Sequence, residues 1–171
     1  MQLIACDRAH AAAILDIFND VIAHTTALWD YAPRSMDSME QWFAAKEGKY
    51  PVIGAVDENG KLLGFASYGP FRAFPAYKYT VEHSIHIHRD HRRQGLGRQL
   101  VEAIVAHARA QGYHTIVAGI EAGNTGSKAL HEALGFEACG VIREAGFKFG
   151  RWLDLEFYQR VLDTPVDPVD G

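Results

Sequence analysis

The sequence predicts a mixed α/β (α+β) fold whose sheet of about seven strands is mostly antiparallel around one parallel pair. Three observations carry that expectation. The elements read in the order β-α-α-β-β-β-α-β-α-β-β. Asn59-Gly60 stands between two β-rich runs and is the strongest short-range hairpin signal available. A strand, a helix and a second strand then follow one another at the centre, which requires a crossover and hence a locally parallel pair. With 171 residues, 48% hydrophobic and 22% charged, the chain fits one domain, residues 1–171.

The first strand is QLIAC, and Asp7 then precedes a run in which Ile14, Leu15, Phe18, Val21 and Ile22 recur at helical spacing. TTALWDYAPRS has aromatics and a proline but no period, so it reads as an ordered loop. SMDSMEQWFAAKEG offers a serine cap, acids in its first turn and a closing glycine, the marks of a second helix. After the hairpin and the loop RAFPAYKY, TVEHSIHI alternates: Glu82, Ser84, His86 and His88 form a polar side, Val81, His83, Ile85 and Ile87 the other. From Gly97 the positions Leu100, Val101, Ile104, Val105 and Ala108 trace one helical stripe, closed by Gly112. HTIVAGIE is the fifth strand, NTGSKALHEALGF a helix stopped by Gly135, and residues 137–162 supply two closing strands. The tail, residues 163–171, carries two prolines and three acids and is expected to be mobile.

A net charge of −4 and a pI near 6.1 give no basic surface for nucleic acid. Cys6 and Cys139 have no metal-ligand spacing and suggest reduced thiols, and neither a secretory leader nor a membrane-length apolar run is visible. The expectation is a cytoplasmic protein with neither nucleic-acid nor membrane partners.

Chemistry is concentrated in HRRQGLGRQL, residues 91–100, a tight turn between a strand and a helix. A helix N-terminus leaves backbone N–H groups unpaired at the positive end of its dipole, where a phosphate fits. Gly95 and Gly97 permit close approach, and Arg92, Arg93 and Arg98 add charge. The stretch is not a Walker A loop, for no lysine follows the glycines, nor a dinucleotide fingerprint, for Leu100 stands where a third glycine belongs. A basic loop that merely starts a helix is the alternative on this stretch alone.

Its neighbours narrow the choice. Arg92, Gly95 and Gly97 form R-x-x-G-x-G, which resembles the acetyl-CoA pyrophosphate loop of the GNAT N-acetyltransferase superfamily. Together with VAGIEAGNTGSKALHEALGF and FKFGRWLDLEFYQ, the stretch from Thr80 to Tyr113 resembles the phosphinothricin and methionine sulfoximine N-acetyltransferase family, with coverage from about residue 3 to 162. The resemblance implies a twisted sheet with helices on both faces and a splayed central parallel pair, with acetyl-CoA as cosubstrate. It implies that the backbone of Ile85, His86 and Ile87 binds the pantetheine arm and polarises the thioester carbonyl. Arg93, Gln94, Gly95, Leu96, Gly97 and Arg98 would hold the pyrophosphate, Asn124 would meet the coenzyme, and Glu132 or Ala133 would line its outer edge.

The reaction needs a neutral amine and a leaving thiolate. Glu82, matching the family's Thr-x-Glu position, is the candidate base, and a solvent-exposed strand acid is its plain alternative. His131 occupies the site where many members of the superfamily have a tyrosine; it suits an acid, a base, a hydrogen-bond donor or a structural histidine. Arg72 and Lys78 suit an acceptor carboxylate, and Phe71, Phe74, Tyr77 and Tyr79 suit a pocket wall, with Trp29 and Tyr31 closing it from the other side. The expected acceptor is therefore a small amino acid. Tyr79 replaces the tryptophan common in the herbicide-resistance branch, which favours methionine sulfoximine and sulfone over phosphinothricin. Competing classes are an acetyltransferase for protein termini or polyamines, and an acetyl-CoA-binding sensor without turnover. His83, His86, His88 and His91 lack a partner set for zinc, so no metal is expected. The resemblance also implies a homodimer, with the aromatic closing strands as its interface.

Overall fold

A computed structural model describes residues 1–170. The chain runs β1 (Gln2–Ala5), α1 (Ala11–His24), α2 (Met36–Ala44), β2 (Val52–Val56), β3 (Leu62–Pro70), β4 (Thr80–Ile87), α3 (Leu96–Ala110), β5 (Thr115–Glu121), α4 (Thr125–Ala133), β6 (Glu137–Lys148) and β7 (Arg151–Val161). The seven strands form one sheet in the order β1-β2-β3-β4-β5-β7-β6, antiparallel throughout except for the β4–β5 pair. This is the mixed architecture read from the sequence.

Each element follows from local chemistry. Asp7 caps a single 3-10 turn, Arg8–His10, before α1 begins, so the helix starts later than the capping signal alone suggests. Ser35 and Ser38 cap α2 reciprocally. The Asp57–Lys61 turn closes with Gly60 at φ +79°. Two cores result, one on each face. Ile14, Phe18 and Val21 of α1 with Met39 and Phe43 of α2 pack against Val52, Val56, Leu62 and Phe65, while Leu100, Val101, Ile104 and Ala108 of α3 pack against Val81, Ile116 and Ala118.

The polar side of β4 is covered in part: His86 is buried between Phe18 and Phe65, 5.2 and 5.4 Å between ring centres, whereas Ser84 on the same side is exposed. Tail residues 163–170 make contacts of their own: His114 Nδ1 stands 2.8 Å from the Thr164 carbonyl, Arg109 pairs with Asp163, and Val169 N–H donates to the Tyr79 hydroxyl at 3.1 Å. Those partners, from α3 and from the chain just before β4 and β5, are invisible in a local reading of a proline-rich tail.

The feature that builds the site is a break in the parallel pair. Pairing between β4 and β5 runs from Thr80–Thr115 to His83–Ala118 and stops. Beyond it β4 stays bonded to β3 as far as Ile87, and β5 to β7 as far as Glu121, so the two strands part and leave facing backbone edges open. The expected splay is present.

Candidate active site

A cleft of about 870 Å³ occupies this gap, lined on β4 by Ile85, His86 and Ile87, at the start of α3 by Arg93, Gly95, Gly97 and Arg98, and across it by Asn124, Ser127 and Leu130. The cradle is built at the start of α3. Gly95 has φ +80°, the left-handed region in which a Cβ is strained, and no side chain caps the helix, so its first N–H groups face the cleft unclaimed. Gly97 acts through space: a Cβ there would stand 2.9 Å from the Leu130 side chain, so its absence lets α3 approach α4. Arg93 itself adopts φ +60°, and Arg92 donates to the Ile87 carbonyl at 3.2 Å. On the far side the Asn124 side chain accepts from Ser127 N–H at 3.1 Å and caps α4.

Three residues expected at the coenzyme are not on this lining. The Leu96 side chain is buried in the core beneath the sheet; Gln94 turns its amide towards the Asp90 carbonyl at 3.5 Å; Ala133 is exposed at the far end of α4. The resemblance implied these positions as a continuous stretch, whereas a helix turns successive residues to different faces.

At the closed end of the gap, Glu82 is half-buried, and burial raises its carboxyl pKa while Arg72 draws it down. Its Oε1 occupies space over Gly119, where a Cβ would lie 3.1 Å away, with Leu155 and Phe157 beside it. Gly119 thus leaves a bare floor on the same sheet face. Phe71 reaches this cluster through edge contacts with Tyr77 and Phe157, and the Arg72 guanidinium lies 4.3 Å from the Phe71 ring centre. Lys78 lies over Tyr79 and is exposed; Phe74, 75% exposed, walls nothing in this chain, because its loop turns outward through the 3-10 turn Pro75–Tyr77. Trp29 packs over Gly146, and the Tyr31 hydroxyl donates to the Phe147 carbonyl at 2.7 Å, so both lie against β6.

His131 is buried, 1% exposed, behind the cleft wall. Its Nδ1 faces the Ser127 carbonyl at 2.7 Å and its Nε2 faces His83 Nε2 at 3.2 Å. A carbonyl only accepts, so Nδ1 carries the proton; the neutral ring then accepts at Nε2, and His83 supplies the N–H between them. Desolvation lowers both pKa values, that of His83 to about 3, with the His131 ring adding to the effect on His83; the Ser127 bond partly offsets the shift of His131. In this arrangement His131 holds no spare N–H for a leaving group. Alternation along the strand assigned His83 to the same side as Val81 and Ile85 but gave no hint of its partner, 48 residues away.

Two further residues shape the cleft. Lys148, buried at the end of β6, donates to the carbonyls of Ile22 at 2.7 Å, Thr25 at 3.0 Å and Leu28 at 2.6 Å. It ties the negative end of the α1 dipole and the α1–α2 loop to the β6–β7 turn. Glu121, at the end of β5, accepts from the Thr26 hydroxyl at 2.8 Å and from Gly123 N–H at 3.0 Å. Nothing in the pattern of either strand singles these residues out. No cluster of metal-ligating side chains occurs among the described residues, nor any helix long and apolar enough to cross a membrane.

A strand edge opened beside a phosphate-sized cradle is the layout for a long, phosphorylated thioester donor, and fold and site together are those of an acetyltransferase. Residues 14–136 match the Acetyltransferase (GNAT) family, and the chain belongs to it. Among curated proteins it is 47% identical over 156 residues to the L-methionine sulfoximine/L-methionine sulfone acetyltransferase of Pseudomonas paraeruginosa, covering 91% of each chain. It is 42% identical to the L-amino acid N-acyltransferase MnaT of Escherichia coli, covering 94% of each, and 36% identical to the phosphinothricin N-acetyltransferase of Streptomyces viridochromogenes, covering 94% of this chain and 87% of that one. Among solved structures it superposes on a chain from Acinetobacter baylyi ADP1 with a TM-score of 0.98 at 53% identity, covering 99% and 97% of the two. A phosphinothricin acetyltransferase from Sinorhizobium meliloti, solved with acetyl-CoA, superposes with a TM-score of 0.94 at 34% identity, covering 99% and 94%.

Proposed function

We propose that this chain, acting as one domain, transfers the acetyl group of acetyl-CoA to the α-amino group of a small amino acid analogue, and that methionine sulfoximine and methionine sulfone are better acceptors than phosphinothricin. The observation that carries the reading is the position of Glu82 over the bare Gly119, just before the point where β4 and β5 part and the cleft with its glycine cradle begins. Its donor side is supported by the fit between the cleft and a coenzyme: open strand edges suit the amides of a pantetheine arm, and the α3 N-terminus with Arg93 and Arg98 suits a pyrophosphate.

In this reading, backbone N–H from Ile85, His86 or Ile87 polarises the thioester carbonyl and stabilises the developing oxyanion. Arg72 and Lys78 hold the acceptor carboxylate, Tyr77 packs against the acceptor through Phe71, and Phe74 is left for the acceptor to cover. Glu82 removes the ammonium proton, a task for which burial makes it a stronger base than an ordinary carboxylate. The His83–His131 pair sits where β4 and β5 part, and its one N–H is held between the two rings, so the pair is read as positioning the cleft wall and the thiolate takes its proton from solvent.

The reading extends to a homodimer in the cytoplasm with a role in detoxifying such analogues. Val141, Ile142, Phe147 and Trp152 are all about half exposed or more on the β6–β7 edge, an apolar patch that suits a second copy. Both cysteines are unpaired, as a reducing compartment requires. The test is thiol release from acetyl-CoA over a panel of amino acids, their sulfone and sulfoximine analogues, phosphinothricin, polyamines and N-terminal peptides. Release is expected with the sulfone and the sulfoximine ahead of all others; release with polyamines or peptides alone would refute the acceptor class.

A further inference from the structure

Glu121 is a buried carboxylate that the mechanism above does not use. Its partners are the Thr26 hydroxyl, the Gly123 N–H and, at 3.7 Å, the Arg151 guanidinium. All are donors, which is the environment of an ionised carboxylate. It lines the cleft while only 6% exposed. Register fixes where it faces: Gly119 is opposite Phe157 and Glu121 opposite Leu155, so Glu121 shares the sheet face on which Glu82 covers Gly119. Two carboxylates therefore flank one bare floor.

The acceptors under comparison make the consequence specific. Methionine sulfone and phosphinothricin share a methyl group, a tetrahedral centre bearing two oxygens, and the same two-carbon link to the amino acid. The sulfone centre is neutral, whereas the phosphinate is an anion at neutral pH. Apolar walls cannot separate two such shapes; a fixed charge can. With the amine at Glu82 and the carboxylate at Arg72, near the start of β4, the side chain is left to run along β5 towards Glu121.

We infer that Glu121 is a specificity-determining residue: its charge disfavours acceptors with an anionic side chain and leaves neutral ones unaffected. The inference rests on the acceptor class proposed above. Other charged groups on this face include Glu82, Arg72, Arg151 and the Asp30–Arg34 pair, whose opposite charges stand 3.3 Å apart, while Lys148 is turned to the loop carbonyls. Arg151 opposes Glu121 in sign, but its side chain is 56% exposed and screened by water, whereas that of Glu121 is 4% exposed and is not.

The experiment compares kcat/KM for methionine sulfone and phosphinothricin, by thiol release from acetyl-CoA, in wild type, Glu121→Gln and Arg151→Gln. Gln keeps an oxygen for Gly123 N–H, turns its amide N–H2 to Thr26, whose hydroxyl can accept as well as donate, and removes the charge. The sulfone-to-phosphinothricin ratio is expected to fall about 10-fold or more in Glu121→Gln. It should rise in Arg151→Gln, an exposed position whose substitution leaves folding intact and so gives a second reading of the same field. A ratio unchanged within about twofold in both variants, whatever the loss of total rate, overturns the inference and leaves Glu121 as a tie for Thr26 and Gly123. Wild type that turns over neither acceptor overturns the acceptor class, and the inference with it.

Discussion

Glu82 is a base only while ionised, and burial raises its pKa above the ordinary carboxylate value of about 4.3. The acid limb of kcat/KM therefore lies above that value. Arg72 pulls in the opposite direction, so Arg72→Gln is expected to move the limb further up, as a pH series would read. Loss of rate without movement would show that Arg72 acts on the acceptor alone. The His83–His131 pair makes a different kind of demand. Replacing either ring by Phe strands a buried nitrogen of the other, at a cost of about 1–3 kcal/mol. The double replacement should cost less than the sum of the two, by urea unfolding; strict additivity would mean that the rings do not bond. Glu82 was legible because strand alternation and a family pattern agreed on it, while His83 was not, because its meaning lies wholly in His131.

At the scale of elements, the site depends on two joints. One is the start of α3, where Gly97→Ala is expected to push Leu130 aside and weaken acetyl-CoA binding with little loss of stability. The other is Lys148, which carries three hydrogen bonds to the α1–α2 loop. Lys148→Met leaves those carbonyls without their partner and is expected to cost about 3 kcal/mol, charge-assisted bonds being worth about 1.5–3 each before water reaches the freed groups. Faster hydrogen exchange at residues 25–31 is the accompanying sign; unchanged exchange would mean that the loop holds itself. The glycine turn was readable because helix starts have local chemistry. The Lys148 joint was not, since its nearest acceptor is 120 residues away and a lysine late in a strand is ordinarily solvated.

Across the whole molecule, two buried imidazoles set a pH sensitivity. His83 and His86 have their pKa values pushed down to about 3 by burial, whereas in the unfolded chain they take up protons near pH 6.5. The folded state thus binds fewer protons between those values, and stability falls as pH drops from about 6.5 towards 3, by up to about 1.4 kcal/mol per pH unit for each ring. His86→Phe, between Phe18 and Phe65, should flatten that fall. The antiparallel hairpins and the central crossover were legible because hairpin turns and a strand-helix-strand run constrain topology, whereas the insertion of β7 between β5 and β6 was not. Nor was the burial of His86 against Phe18 of α1, because alternation reports two sides of a strand without saying what covers each.

These scales meet at the closed end of the gap between β4 and β5. Thiol release from acetyl-CoA with methionine sulfone, in wild type and Glu82→Gln, probes that point. The geometry predicts turnover by the wild type and a loss of about 100-fold or more in kcat for the variant, with the KM for acetyl-CoA within about twofold because the cradle is untouched. Undiminished kcat in Glu82→Gln would contradict it.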